Sequence, residues 1–308
     1  MDFGIVLSVS ANYASWSNFL SIAREAEDLG YDSIWVSDHL LSPRGHPHTL
    51  ESWTVLSALA ASTKKLRLGT YVLCNNFRHP SLLAKMASTL DNISNGRIEF
   101  GIGAGWFREE HVAFGFPWDK HSKRIERLRE SLEIIKRLWL EDHVSYVGKY
   151  FKIENAILEP KPLQKPHPPI WIGGSGDKIK GIVAEFGDGW IPVLPTPIQL
   201  ASGVSKIRGM MKLFGRDSEG LQVAYGGGTF AFVAEDEGAV RRLVEPLIKS
   251  AGKPIEELPY LIGTPEQCIR KVEEYCKAGA DKIVAGFYDF PSLNSLRLFA
   301  ESVIPCFK

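Results

Sequence analysis

Asp38 and His39 stand where a short apolar run, Ile34-Trp35-Val36, is closed by Ser37. A buried strand of a parallel sheet ends at the carboxyl edge, where α/β folds keep their chemistry. An imidazole there, with an ordinary pKa of about 6.5, can exchange a proton or hydrogen-bond a ligand. Asp38 can accept from a ligand N–H. Either residue can equally cap the segment that follows, and a lone histidine more often does so. A second candidate is Gly173-Gly174-Ser175-Gly176, directly before a helical pattern. Such a turn exposes backbone N–H groups at a positive dipole end, which suits a phosphate, and Lys178 and Lys180 add charge. The same glycines also serve a tight turn that needs backbone freedom. A third is Gly101, Gly103 and Gly105, alternating along one run with Ala104 and Trp106 and followed by Arg108, Glu109 and Glu110. Small residues there let a flat ligand lie on the backbone with Trp106 as a wall, or they relieve crowding and bend the strand. His46-x-His48 has the spacing of a metal pair, but no third ligand accompanies it and a solvated loop fits better. The chain has no GxSxG element and no HExxH helix.

The elements that must position these residues alternate in type. Strands are expected at Phe3–Val9, Tyr31–His39, Leu66–Leu73, Arg97–Ile102, Pro168–Ile172, Gly189–Val193, Leu221–Val233 and Lys282–Ala285, the seventh interrupted by Gly226-Gly227-Gly228. Helical patterns follow nearly every one. Phe19, Ile22, Ala23 and Ala26 share a face that ends at Gly30, and Ile125, Leu128, Leu132, Ile135 and Trp139 form a longer stripe. Pro80 opens one helix, and Thr264-Pro265-Glu266-Gln267 has the form of a capping box that opens another. Residues 142–163 break the rhythm, with a hairpin at Tyr146–Ile153 turning at Gly148-Lys149. Eight strand–helix units favour a (β/α)8 TIM barrel with this insertion, as one domain over residues 1–308. An open dinucleotide-binding sheet would want GxGxxG after strand one, and Ser8-Val9-Ser10-Ala11-Asn12 stands there instead.

Composition narrows the classes. The 308 residues carry 36 basic and 36 acidic side chains and are 44% hydrophobic. Zero net charge argues against a general nucleic-acid or membrane-surface binder. No apolar run is long enough to span a bilayer, and the N-terminus reads as a first strand rather than a signal peptide. Cys74, Cys268, Cys276 and Cys306 lack CxxC spacing, which fits a reduced, cytoplasmic protein.

Taken together, GYDSIWVSDH (30–39), LGTYVL (68–73), RIEFGIGAGWFREEHVAFGFPW (97–118), RLRESLEIIKRLW (127–139), PPIWIGGSG (168–176), AEFGDGWIP (184–192) and GTPEQCIRKVEEYCKAGADKIV (263–284) resemble the bacterial-luciferase-like superfamily of flavin and deazaflavin oxidoreductases. The SDH ending resembles its coenzyme F420-dependent branch. The resemblance implies a (β/α)8 barrel and a hydride transfer between coenzyme F420, a deazaflavin, and a small organic substrate. It puts Asp38 and His39 at the ring, with His39 nearest the substrate as the catalytic residue. It implies a cis peptide at Tyr71-Val72 behind the ring, Gly103, Ala104 and Gly105 beside it, and the cofactor phosphate at Gly173, Gly174, Ser175 and Gly176. A homodimer is implied on the same ground. An FMN-dependent monooxygenase and a non-catalytic flavin-binding relative are the alternatives. The branch members that oxidise sugar phosphates or alcohols carry a tryptophan soon after the histidine and a glutamate just after the strand-four glycines. Pro43 and Trp106 stand at those places, so that acid–base pair is not carried over. Glu109 and Glu110 lie close by but shifted.

Overall fold

A computed structural model describes residues 1–226, 230–251, 255, 258 and 260–308. In order these form β1 (Asp2–Leu7), α1 (Trp16–Asp28), β2 (Ser33–Val36), α2 (Ser52–Ser62), β3 (Arg67–Thr70), β4 (Leu73–Cys74), α3 (Pro80–Ile93), β5 (Ile98–Gly103), α4 (Arg108–Ala113) and α5 (His121–Leu140). There follow β6 (Val144–Val147), β7 (Lys152–Ala156), β8 (Ile170–Gly173), α6 (Asp177–Phe186), β9 (Gly189–Ile191), α7 (Pro197–Leu213), β10 (Gln222–Tyr225), β11 (Phe230–Val233), α8 (Glu237–Ala251), β12 (Leu261–Gly263), α9 (Pro265–Lys277), β13 (Lys282–Phe287) and α10 (Asn294–Ser302). Local chemistry sets several boundaries. The Ser15 hydroxyl accepts from the N–H of Asn18 at 3.3 Å and starts α1, whose buried face carries Phe19, Ile22, Ala23 and Ala26. Gly30 follows at φ +78°, a left-handed conformation that glycine adopts without steric cost. Pro80 and Pro265 open α3 and α9, and Gln267 Oε1 reaches back to accept from the N–H of Thr264 at 2.9 Å.

Eight strands close a parallel barrel in the spatial order β1, β2, β3, β5, β8, β9, β10, β13, with β13 pairing back onto β1. Leu7, Val36 and Thr70 lie in register across β1, β2 and β3. The segments after them therefore leave the sheet at one level and form one mouth. Helices cover the outside through an apolar layer that includes Phe19, Leu56, Leu83, Leu128, Ile135 and Val183.

The inside is separate. Trp35, Trp171, Ile191, Ala224 and Val284 are fully buried within the barrel. The two indoles meet edge to face, with centroids 5.6 Å apart. Burying an aromatic of this size removes up to roughly 200 Å² from water, an upper bound of about 5 kcal/mol each. The indoles fit because β3 and β9 offer no side chain opposite them: a Cβ at Gly69 would lie 2.0 Å from Trp35, and one at Gly189 2.2 Å from Trp171. Below them the buried Lys282 ammonium sits 5.4 and 5.2 Å from the two ring centroids and 3.7 Å from the Glu99 carboxylate. Glu99 also accepts from Trp171 Nε1 and Arg67. Buried charges persist only when paired in this way.

Two features depart from expectation. The seventh strand does not run through 221–233. It divides into β10, which belongs to the barrel, and β11, which pairs with the mouth end of β13 as Phe230 opposite Gly286. Gly227 and Gly228 lie outside the described residues. β11 in turn pairs with β12, a strand of three residues too short to show periodicity. The hairpin β6–β7 is as expected: a two-stranded antiparallel sheet apart from the barrel, with Tyr146 opposite Ile153.

Candidate functional site

Strand three carries an irregularity that shapes the mouth. The β3 ladder runs to Thr70, whose hydroxyl donates to the Gly101 carbonyl at 2.7 Å and accepts from its N–H at 2.9 Å. The chain then bulges through Tyr71 and Val72, joined by a cis peptide bond, and returns to β5 as β4, with Leu73 opposite Ile102. The bulge projects Val72 between β5 and β8. A Cβ at Gly103 would stand 3.0 Å from Val72 Cγ2, and one at Gly173 2.6 Å from it. The space beside those two glycines is thus filled by Val72. Val6, Tyr71 and Val72 pack on the interior cluster yet are only partly buried. They form an apolar floor open toward the mouth, a surface that suits a flat ring.

His39 stands beside this floor. Its Nδ1 lies 3.2 Å from both carboxylate oxygens of Glu110, and Glu110 also accepts from the N–H of Leu40 at 3.0 Å. Glu110 is 2% exposed, on the first turn of α4. A carboxylate can only accept, so Nδ1 carries the hydrogen in this arrangement. Nε2 is then the acceptor, and no described residue bonds it. The ring is held edge-on by Trp106 at 5.6 Å and Phe107 at 6.2 Å. Trp106 itself is 66% exposed and stands at the rim.

Asp38 has a different setting. Its carboxylate forms a two-point ion pair with Arg78, Nη1 to Oδ2 at 2.9 Å and Nη2 to Oδ1 at 3.1 Å. It also accepts from the N–H of Cys74 at 2.8 Å. The side chain is 1% exposed. Asp38 therefore ties the end of β2 to β4 and to the segment leading into α3. Glu51, the N-cap of α2, holds Arg78 from the other side and accepts from Trp53 and Thr54. A second buried link supports α4: the His111 Nδ1–H donates to the Phe107 carbonyl at 2.8 Å, leaving Nε2 to accept from the Cys74 thiol at 3.4 Å. Burial pushes the Cys74 thiol well above its ordinary pKa, which keeps it a donor. Gly105, at φ +76°, gives this pair room, since a Cβ there would lie 2.8 Å from Cys74 Sγ. Ala104 is buried between these elements.

At the end of β8 the Gly174 N–H is already used by the Ile191 carbonyl at 2.9 Å, and the Gly174 carbonyl accepts from Trp190 Nε1 at 2.7 Å. Gly174 adopts φ +125°. Ser175 Oγ accepts from the N–H of Val193 at 2.9 Å, which leaves its hydroxyl hydrogen for a ligand. Gly176, the N-cap of α6, provides no side-chain cap, and a Cβ there would meet nothing within 4 Å. Open first-turn amides, a free hydroxyl hydrogen and clear space are the donor set a phosphate needs. Asp177 lies in the same turn, but its charge is taken up by Lys206 at 2.9 Å and Lys180 at 3.1 Å. The residues present therefore fit a ring-and-phosphate cofactor: an apolar floor, a polar wall at His39, and an anion anchor after β8.

The structure brings together at one mouth His39, Val72 and the 173–176 turn from β2, β3 and β8. It places Asp38 in the supporting network. Two partners went unassigned in sequence: Arg78, for which no local signal exists, and Glu110, whose nearness to strand four was visible but whose contact with His39 was not. Among the described residues no three His, Cys, Asp or Glu side chains group closely enough to hold a metal ion, so His46 and His48 remain a pair on a loop.

Known proteins resemble this chain along nearly its whole length. A profile of the luciferase-like monooxygenase family matches residues 1–260. The FMNH2-dependent dimethylsulfone monooxygenase of Pseudomonas putida is 26% identical over 98% of this chain and 91% of that protein. The F420-dependent glucose-6-phosphate dehydrogenase of Microbacterium testaceum (strain StLB037) is 29% identical over 91% of this chain and 90% of that protein. An F420-dependent secondary alcohol dehydrogenase, solved with an F420–acetone adduct, superposes with a TM-score of 0.84 at 25% identity, covering 100% of this chain and 99% of that one. No helix among the described residues is long and apolar enough to cross a membrane.

Proposed function

The chain belongs to the luciferase-like monooxygenase family, and we propose that within it this enzyme is a coenzyme F420-dependent oxidoreductase that moves a hydride between the deazaflavin and a small organic substrate. The observation that carries the reading is the Glu110–His39 pair beside an apolar floor. A deazaflavin, when bound, supplies two-electron hydride chemistry. The chain must then handle the accompanying proton. Glu110 holds the Nδ1 hydrogen of His39, so the Nε2 lone pair is the acceptor presented to the mouth. In the oxidising direction His39 would take a proton from the substrate heteroatom while the bound cofactor accepts the hydride from the adjoining carbon. In the reducing direction it returns that proton. Val6, Tyr71 and Val72 would back the ring, and Ser175 with the first-turn amides of α6 would hold the phosphate. A homodimer, which rests on family resemblance, and a cytoplasmic location, which rests on four cysteines without CxxC spacing, belong to the same proposal.

FMN-dependent monooxygenation is the second reading, favoured by the full-length similarity to the Pseudomonas enzyme. Titrating the protein with F420 and with FMN separates the two. The proposal expects F420 to bind the more tightly. It also expects His39→Ala to cut turnover by roughly 10²–10⁴-fold while leaving cofactor affinity nearly unchanged, the range of a lost acid–base group. Bulk at Gly174, as in Gly174→Val, should weaken cofactor binding first. Tight FMN binding with no F420 binding would overturn the cofactor assignment, and unchanged turnover in His39→Ala would overturn the role of His39.

A further inference from the structure

Across the mouth from the phosphate anchor stands an aromatic wall. In the closed barrel order β8 is fifth and β1 first, so the turn after β8 and the end of β1 face each other. On the β1 side, β11 pairs with β13 as Phe230 opposite Gly286. Val284 packs inside the barrel, so Gly286, two residues on, faces the same way, and Phe230 beside it does too. The bare backbone at Gly286 makes room for the ring: a Cβ there would lie 3.3 Å from the Val6 carbonyl oxygen and 3.8 Å from Phe230 Cδ1. The Phe230 ring therefore borders the apolar floor at Val6. Tyr260 meets it at 5.7 Å, and Phe232 and Tyr288, stacked with centroids 4.6 Å apart, extend the wall.

Arg44 lies on this wall, its guanidinium carbon 4.7 Å from the Phe230 centroid. The turn that carries it is pinned. Ser42 Oγ donates to the Ser10 carbonyl at 3.0 Å and accepts from the Arg44 N–H at 3.3 Å. Gly45, at φ +75°, closes the turn with its N–H on the Ser42 carbonyl at 3.1 Å. The segment that leaves β2 at His39 thus carries Arg44 past the end of β1 and onto β11. Stacking uses the face of a guanidinium and leaves its in-plane N–H donors available. Among the described residues none accepts from the Arg44 side chain and no carboxylate pairs with it. Arg78, by contrast, is spent on Asp38 and Glu51.

We propose that Arg44 receives the anionic group of the substrate, and that the substrate is a carboxylic acid with a ring-bearing, apolar body. The inference rests on the functional reading above and names the substrate class of that site. The reacting carbon would lie at His39, the body along Phe230 and Tyr288, and the carboxylate on the Arg44 fork. One charge on a two-pronged edge matches a single carboxylate. The cofactor phosphate, anchored across the mouth, leaves this arginine unused.

Calorimetry on the full-length protein, saturated with whichever of F420 and FMN it binds, tests this with three probes: 3-phenylpropionate, its uncharged amide, and 2-phenylethyl phosphate. The wild type should bind the carboxylate about ten-fold more tightly than the amide, the low end for a charged two-point contact, since Arg44 is exposed. Arg44→Gln should abolish that preference while amide and cofactor affinities stay as they are. Arg44→Lys, which keeps the charge and loses the fork, should retain part of it. Equal binding of acid and amide, a preference that survives in Arg44→Gln, or no binding of either at millimolar concentration would overturn the proposal and leave the cofactor assignment standing. Tighter binding of the phosphate than of the carboxylate would overturn the carboxylate class. Lost cofactor affinity in Arg44→Gln would move Arg44 to the cofactor and overturn the proposal as well. Which cofactor saturates the protein is read before any probe is added, so a failure of the F420 reading is seen separately.

Discussion

The His39 imidazole and the Glu110 carboxylate meet at 3.2 Å although 71 positions separate them in the chain. Glu110 reaches this place because the Cys74–His111 bond docks α4 against β4. Removing the carboxylate should therefore free the His39 ring without emptying the cofactor site. We expect Glu110→Ala to lower kcat by about 10–100-fold with KM and cofactor affinity changed little, a fraction of the full acid–base effect. Glu110→Gln, which can still accept from His39 or Leu40 but carries no charge, should fall between. A ¹⁵N spectrum of His39 separates this from general damage: one tautomer in the wild type, a mixture in Glu110→Ala. A single unchanged tautomer would remove Glu110 from the positioning role.

The Asp38–Arg78 pair is nearly closed to solvent, with side chains 1% and 9% exposed. Deleting one partner of such a pair leaves an uncompensated buried charge, which typically costs 3–5 kcal/mol. Asp38→Ala should lower unfolding free energy by about 3 kcal/mol in urea titration, and turnover should fall because β4 loses the Cys74 anchor. A cost below about 1 kcal/mol would mean that water screens the pair as it does surface ion pairs.

Val72 occupies the room that Gly103 and Gly173 leave. Gly173→Ala should be destabilising by about 1–3 kcal/mol, the usual cost of overpacking a full site. Val72→Ala should recover much of that loss when combined with it, because the clash is with Val72 Cγ2. A double-mutant cycle reads the coupling directly, and additivity within about 0.5 kcal/mol would show that the backbone relaxes instead.

Glu51 gives a pH dependence of known sign. Burial raises its pKa, but bonds from Thr54 and Trp53 and the charge of Arg78 outweigh burial and leave it below the ordinary value. A carboxyl whose folded pKa is depressed contributes stability above its unfolded pKa, about 4.3, and loses it as pH falls toward the folded pKa. Glu51→Gln should lower Tm at pH 7, with the difference from wild type shrinking below about pH 4. A difference that grows on acidification would reverse the assigned sign.

Much of the fold was legible because its signals are local. Seven of the eight expected strands match barrel strands, and the remaining one, the seventh, is matched in its first part by β10. The apolar stripe of α5 and the proline and capping chemistry of α3 and α9 need only neighbouring residues to be read. β11 and β12 were not legible as a separate pair, because strands of four and three residues carry too little periodicity and pair across long separations. In the site, His39 and the 173–176 turn could be singled out from residue type and position. Gly103 could not be interpreted, since its alternation with Gly101 is the same whether a ligand or Val72 fills the gap.

The amino-acid order by itself determined the alternation of strand and helix, the ends of most helices, and the level at which His39 and Gly173 leave the sheet. Those follow from propensity and periodicity over a few residues. Only the tertiary structure decided the partners: Glu110 on His39, Arg78 on Asp38, Val72 between two glycines, and Arg44 on the Phe230 ring. Each joins segments far apart in the chain, and which of many carboxylates or cations meets a given group depends on closing the barrel, not on any neighbour in sequence.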